Sequence, residues 1–523
     1  MRTPVNDSKA VTSHDPLYEA MRARDARFDG KFFVAVKTTG IYCRPICPAR
    51  PKRRNVEFFR TAQAAEEAGY RPCLRCRPES APGSPAWNGT RATVQRALKL
   101  IAQGALAQHT EEAFAARLGV TARHLRRLFE EAFGYSPKQL HDVTRLNIAR
   151  KLIVETHLPM TEIAFAAGFG SLRRFNDAIK QRFHRSPSAL RSFRKTASAA
   201  PMVRLLLSFR PPFDWPNLMG YYQRHQIVGV EAVEGGVYSR VFHLRDSGTT
   251  GYFRARLHPR KPALMLEMMI SDTRQLLNVL QRVKNMFDVD ADPTLVAEAF
   301  TRSPVFKRLY AQCPGARLAR GFDPFETAIG AILGQVISVS QATRLTSQLV
   351  ATYGTEIRHP LSGEPVRIFP DPHILARSDL RALKITGRKR AAIREFSARV
   401  AAGDLEIDPA GDLHDFRVSV RAIPGIGAWT AEYIALRAFG DSDAFPETDL
   451  VVQRFMKENP EADFNLIRPW RGYLAVCLWT QNAHASHERM RLNHAVVHAH
   501  GITGRTAQTR CLRSKADRGA VAG

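Results

Sequence analysis

The chain has 523 residues, a formal charge of +28 at neutral pH and 24% charged side chains. A charge of that size points to a polyanionic partner. No apolar run approaches the roughly 18 residues of a membrane span, and Met1 to Asp7 lack the apolar core of a signal peptide. At about 150 residues per domain, the length predicts three or four domains, each able to bury its own core.

Four of the seven cysteines fall as Cys43-x3-Cys47 and Cys73-x2-Cys76, with 25 residues between the pairs. Tetrahedral zinc held by four thiolates needs two such close pairs, each spanning one side of the metal. Reduced, metal-bound cysteines fit a cytoplasmic protein. Cys313, Cys477 and Cys511 stand scattered. The spacing alone is more often that of a zinc site that only staples a small domain. The residues around it, Thr38-Thr39-Gly40-Ile41-Tyr42-Cys43-Arg44-Pro45-Ile46-Cys47 and Gly69-Tyr70-Arg71-Pro72-Cys73-Leu74-Arg75-Cys76, resemble the N-terminal domain of the Ada-type regulators of the bacterial response to DNA alkylation. That resemblance implies Zn²⁺ on Cys43, Cys47, Cys73 and Cys76. It makes Cys43, first cysteine of C-R-P-x-C, the acceptor of one methyl group from a methylated DNA phosphate. A zinc-bound thiol is already deprotonated and nucleophilic at neutral pH. Methylating one thiolate removes negative charge, so the domain should then hold the phosphate backbone more tightly. By the same resemblance Thr39, Arg50 and Arg71 touch phosphates, although a solvated basic surface accounts for the two arginines equally well.

A Pro/Gly/Ser-rich linker at 79–85 leads into a helical stretch over 90–195 with an internal repeat: Phe133-Gly134-Tyr135-Ser136-Pro137 returns as Phe183-His184-Arg185-Ser186-Pro187, fifty residues on. Each copy ends a helix-turn-helix. In the first, a helix from Glu111 to Leu118 turns at Gly119 into one capped by Thr121, exposing Arg123, Arg126 and Arg127. In the second, Thr161 is expected to cap a short helix; Gly168-Phe169-Gly170 makes the turn, and Ser171 caps a helix carrying Arg173, Arg174 and Asn176. The pair resembles an AraC-type DNA-binding domain, which sets two recognition helices into successive major-groove segments.

After 196–201 the pattern changes to strands, expected at 203–209, 237–244, 251–258 and 263–270, then a helix over 272–286. With its Pro211-Pro212-Phe213-Asp214-Trp215 opening, this stretch resembles the N-terminal α+β domain of AlkA-type DNA glycosylases. It reads as scaffold rather than site.

Farther on, Ile423-Pro424-Gly425-Ile426-Gly427-Ala428-Trp429 reads as helix, glycine hairpin, helix, a form that lets the backbone approach a phosphate at a helix N-terminus. It resembles the helix-hairpin-helix of the DNA glycosylase superfamily, in which hairpin carbonyls often hold a monovalent cation. Phe445-Pro446-Glu447-Thr448-Asp449 follows, with Asp449 twenty residues past Trp429. The resemblance makes Asp449 the catalytic carboxylate; a helix N-cap role is compatible with this, and Glu447 reads as a surface charge. Trp429 stands where backbone-cutting relatives carry a lysine, so no Schiff base is expected, and the iron–sulfur cysteine cluster of some relatives is missing. Trp429, Tyr433 and Trp479 would wall a pocket for cationic alkylated purines through cation–π attraction after base flipping, though an aromatic stripe is by itself more often core. Gln335-Val336-Ile337 resembles the DNA-wedging loop, with Val336 at the tip.

The expectation is a multidomain protein, mainly α with α+β parts: a four-cysteine zinc domain (1–82), an AraC-type double helix-turn-helix (90–195), a small α+β domain (202–312), an all-α helix-hairpin-helix glycosylase domain (313–485) and a basic tail (486–523). Its function would join methylphosphotriester sensing and transcriptional regulation to monofunctional removal of alkylated bases such as 3-methyladenine. The alternative is a regulator with a catalytically silent glycosylase half. No P-C-H-R motif occurs, so repair of O6-methylguanine is not expected. Expected partners are alkylated and promoter double-stranded DNA and RNA polymerase, with no membrane, in a cytoplasmic, nucleoid-associated setting.

Overall fold

The computed structural model describes residues 16–23, 32–47, 49–59, 62–73, 76, 78, 90–102, 106, 110–191, 202–407 and 413–485. The linkers at 79–85 and 196–201, and the tail 486–523, lie outside the described residues. The chain divides into two compact units, Met1–Thr144 and Arg145–Gly523. No described helix is long and apolar enough to cross a membrane.

The first unit opens with α1 (Pro16–Arg22) and a sheet in the order β3-β1-β2-β4: β1 (Phe33–Val36), β2 (Ile41–Cys43), β3 (Val56–Phe59) and β4 (Arg71–Pro72). β1 is buried on both faces, as its uninterrupted apolar run requires. Val34 and Val36 join Ala20 and Met21, while Phe33 and Ala35 join Tyr42 and, from α2 (Ala62–Glu67), Ala65. Three helices follow: α3 (Thr90–Ala102), α4 (Glu111–Arg117) and α5 (Ala122–Phe133). Thr121 caps α5 by accepting from the His124 N–H, and Gly119 turns the chain at φ +71°. α5 buries Leu125, Leu128 and Phe129 and exposes Arg123, Arg126 and Arg127.

The division between the units falls inside α6 (Pro137–Glu155). In the second unit α7 (Met160–Ala166) begins earlier than expected: its N-cap is Pro159, and Thr161 lies within the first turn rather than capping it. Pro159 makes this possible because it cannot donate and already holds a helix-entry φ. Ser171 caps α8 (Leu172–Phe183) as expected, accepting from the Arg174 N–H.

A five-stranded antiparallel sheet follows, ordered β5-β9-β8-β7-β6. The strands β5 (Val203–Ser208), β7 (Val237–Leu244), β8 (Thr249–Leu257) and β9 (Ala263–Ile270) lie where the patterning put them. The edge strand β6 (Glu231–Glu234), only four residues with a glutamate at each end, escaped that reading. Asp272 ties its carboxylate to the Arg274 N–H and starts a 3₁₀ turn, so the expected helix begins late as α10 (Leu276–Met286). Asp214 caps α9 (Trp215–His225).

The sheet, α9 and α10 share one continuous core with the second helix-turn-helix: Leu152, Ile153, Ile163, Phe175 and Ile179 belong to the same buried cluster as Leu205, Leu207, Tyr238 and Phe253. At the free edge of β5, Leu206 gives its carbonyl to the Lys151 ammonium and its N–H to the Glu155 carboxylate (3.2 Å), both from α6. These bonds engage one residue of an otherwise open edge.

The part expected to be all-α is mainly helical, built from α11 (Pro324–Leu333), α12 (Val339–Tyr353), α13 (Gly387–Ala402), α14 (Leu413–Arg421), α15 (Ala428–Ile434) and α16 (Leu450–Glu458), but a small hairpin, β10 (Thr355–Arg358) and β11 (Pro365–Ile368), is inserted after α12. Phe325, Ile329, Leu349, Phe396 and Ile434 form its centre. Arg240 of β7, fully enclosed, pairs with Glu231 (3.2 Å) and Glu326, tying the sheet to α11. A last described helix covers 471–485. Cys313 and Cys477, unrelated in the sequence reading, form a disulfide with Cα atoms 6.0 Å apart. The reason is tertiary: the segments carrying them, 164 residues apart, pack into one buried cluster.

Candidate functional site

The cysteine cluster is assembled by the parallel pairing of β2 with β4. Cys43 ends β2, Cys47 follows one turn on with its N–H on the Arg44 carbonyl (3.0 Å), and the Cys73 N–H bonds the Tyr42 carbonyl (3.0 Å). The Sγ atoms of Cys43, Cys47, Cys73 and Cys76 lie within 4.8 Å of one another. Tetrahedral zinc with metal–sulfur bonds of about 2.3 Å sets its sulfurs just under ~4 Å apart. Hydrogen bonding with Cys47 and Cys76, with burial, pushes the Cys43 thiol far up, while its contact with Cys43 holds Cys47 down at about 2. Packed so closely, the four cannot all ionise without a balancing cation. Soft donors, number and spacing all fit zinc. Thr39, Arg50 and Arg71 are exposed on the same module.

In the helix-turn-helix elements, Arg127, Arg173 and Arg174 stand exposed. Arg126 is exposed but engaged: its Nε and Nη2 donate to both Glu111 carboxylate oxygens at 2.8 and 2.9 Å.

The second unit holds an open cleft of about 2260 Å³. That exceeds the few hundred to ~1,000 Å³ of an ordinary small-molecule pocket. Asp449 sits on its wall as N-cap of α16, its Oδ1 accepting from the Val451 N–H (3.0 Å) and Val452 N–H (3.3 Å). The Trp429 indole donates to Oδ2 and the Trp479 indole to Oδ1, each at 3.0 Å. Trp429 stacks on Tyr433 (centroids 5.0 Å apart, 20° between planes), and Tyr433 meets Trp479 at 5.8 Å. The three aromatics named from sequence therefore converge. Glu447 is exposed, 3.9 Å from Arg471.

Cleft residues that the sequence did not point to include Tyr221, His225 and Arg437. Tyr221 and His225, from the α+β part read as scaffold, reach the cleft stacked on each other at 4.1 Å. Burial holds the His225 imidazole down at about 4. Arg437, buried in the π-helical turn Ala435–Phe439, places its guanidinium 4.4 Å from the Tyr221 ring, 5.1 Å from Trp479 and 5.8 Å from Tyr433. A resident cation thus already uses three of the rings. The pairing of α9 with this turn is tertiary; the tyrosine-rich run Gly220-Tyr221-Tyr222 was the one local hint.

Gly425 turns the hairpin at φ +98°, and Gly427 is the N-cap of α15. Val336, between α11 and α12, is fully exposed at φ +59°.

Comparison with known proteins finds three family models that match this chain. Residues 16–79 match a model of the metal binding domain of Ada, 114–192 a helix-turn-helix domain, and 204–323 the AlkA N-terminal domain. The fold and the cysteine site define a multidomain protein, mainly α with α+β parts, that joins a zinc-binding module and a helix-turn-helix to a glycosylase-type repair fold. Over 481 residues it is 37% identical to the probable bifunctional transcriptional activator/DNA repair enzyme AlkA of Mycobacterium tuberculosis, a match covering 89% of this chain and 96% of that protein. The chain belongs to that family of bifunctional transcriptional activator/DNA repair enzymes. It is also 31% identical over 281 residues to DNA-3-methyladenine glycosylase 2 of Escherichia coli (52% of this chain, 95% of that protein). A third similarity, 37% over 156 residues, is to the bifunctional transcriptional activator/DNA repair enzyme Ada of Escherichia coli (30% of this chain, 42% of that protein).

Proposed function

We propose that the chain senses and repairs alkylated DNA: a transcriptional regulator switched on by irreversible methyl transfer from DNA methylphosphotriesters to Cys43, and a monofunctional glycosylase that excises alkylated bases such as 3-methyladenine. The observation that carries the repair half is the Asp449 carboxylate, fixed by two indole and two main-chain N–H groups on the wall of an aromatic cleft. When a base departs, the bond from C1′ to its nitrogen breaks, the electron pair leaves with the base, and positive charge builds on the sugar. A fixed carboxylate stabilises that charge and orients the water whose oxygen then bonds C1′. A methylated purine already carries ring charge and leaves without an acid. Trp429 offers no amine, so the product is an abasic site on an intact backbone.

Trp429, Tyr433 and Trp479, joined by Tyr221, receive the flipped base, and Val336 fills the gap in the duplex. Gly425, Gly427 and the N-terminus of α15 take a backbone phosphate. A monovalent cation at this hairpin is part of the reading, with the Gly425 carbonyl already accepting from Gln335.

In the regulatory half, the Cys43 sulfur attacks the triester's methyl carbon; the carbon–oxygen bond breaks, the phosphodiester leaves with the electron pair, and a thioether remains. Zinc bound to Cys43, Cys47, Cys73 and Cys76 would supply the deprotonated thiol at neutral pH. Thr39, Arg50 and Arg71 hold the phosphates, while Arg127, Arg173 and Arg174, with Arg126 once freed from Glu111, contact promoter DNA. RNA polymerase is the partner in transcription, in the cytoplasm at the nucleoid. The domain division 1–82, 90–195, 202–312, 313–485 and 486–523 belongs to the same reading.

The test is base release from methylated duplex DNA by the wild type and Asp449→Asn, with mass analysis of the Cys43 peptide. Asparagine still caps a helix, so release lost with folding kept supports the carboxylate's role. Wild type that binds DNA yet releases no base leaves a regulator alone. No methyl gain on Cys43 removes the sensing half.

A further inference from the structure

A β-branched side chain at positive φ is strained, at a cost of about 1–3 kcal/mol, and persists only where its neighbours fix it. Val336 at φ +59° is such a residue, and two side chains fix its loop. The Lys389 ammonium, from the first turn of α13, donates to the Leu333 carbonyl (2.9 Å) and the Gln335 carbonyl (2.7 Å). The second of these belongs to the peptide entering Val336. The Gln335 side chain in turn donates to the Gly425 carbonyl (3.0 Å) and the Thr430 hydroxyl (2.9 Å), which joins the loop to the hairpin.

Local helix chemistry does not account for Lys389. A cation in the first turn of its own helix opposes the helix dipole, and this one is also partly stripped of water, which lowers its basicity. What compensates lies at the end of α11. Leu333 is the last residue of α11, so the ammonium satisfies an orphan carbonyl at that helix's negative end. Its own main chain is held by the Thr386 cap, whose hydroxyl accepts from the Lys389 N–H at 3.3 Å.

We infer that Lys389 is a positioning residue for base flipping, holding the 334–336 loop so that Val336 is set as a wedge before DNA arrives. The inference rests on the glycosylase reading above. Lys389 touches neither base nor sugar; it removes the ordering cost that a free loop would meet on entering the duplex.

The experiment compares wild type, Lys389→Met and Lys389→Arg on methylated duplex and methylated single-stranded DNA, with thermal melting of each protein. The expected result is a fall in kcat/KM of roughly 100-fold or more for Lys389→Met on the duplex, the size of two lost charged hydrogen bonds. Release from single strands, which need no wedge, stays within about two-fold, and Lys389→Arg recovers part of the loss. Equal loss on both substrates, or no loss on either, overturns the inference. A second readout separates it from the activity itself: a duplex with 2-aminopurine beside a tetrahydrofuran abasic analogue brightens on unstacking without any bond being cut. Wild type that brightens the probe but releases no base disproves the glycosylase reading and leaves the clamp testable. Lys389→Met that brightens it as fully as wild type overturns the clamp.

Discussion

The Asp449 carboxylate accepts from both indoles, so the rings that line the cleft also aim the charge. Trp479→Phe keeps an aromatic wall but deletes one donor. A hydrogen bond to a charged group is worth about 1.5–3 kcal/mol, so base release measured by single turnover should fall roughly ten-fold to a hundred-fold with the fold intact. His225 gives a pH dependence. Its imidazole is held at about 4 by burial, with Arg437 and Arg224 adding to the effect, against an ordinary value near ~6.5. A depressed base resists protonation in the fold, so its contribution is complete above the unfolded value and is lost as pH falls from about 6.5 through about 4. The loss is on the order of 2–3 kcal/mol. Thermal melting across that window should show it, and His225→Gln should flatten it. Cys43, Trp429 and Asp449 were legible because each sits in a short motif whose neighbours announce it. Tyr221, His225 and Arg437 were not, because their contact exists only once α9 packs on the π-helical turn.

At the level of elements, the hairpin tolerates little. Gly425→Ala places a Cβ at φ +98°, with the Ala392 and Arg388 side chains 3.4 Å away. A left-handed alanine costs roughly 1–2 kcal/mol, so affinity for an abasic-site duplex should weaken about ten-fold while α15 persists, a change that titration of fluorescent DNA would register. Strands β7 and β9 were readable end to end because each is a long, dominantly apolar run. The edge strand β6 was not, since a four-residue strand flanked by charge resembles a loop until its neighbour β7 is known. Thr161 misled for a related reason: a good capping residue lost to the proline two places before it.

For the whole molecule, the charge of +28 predicts DNA binding that weakens steeply with salt. Arg173→Ala should lower the slope of log affinity against log salt by about one, whatever the DNA sequence, if its contact is a phosphate. The succession of zinc module, helix-turn-helix and α+β part was legible because each opens on a change of residue pattern, whereas the division of the structure at 144/145 falls inside the expected 90–195 domain. What no pattern could convey is that the second helix-turn-helix and the glycosylase-side sheet bury their apolar residues together, with Lys151 and Glu155 bonded to Leu206 at the edge of β5. The joining of regulator to enzyme is therefore not like two beads on a string. A gene cut between them would yield two products, each with an apolar face bared to water.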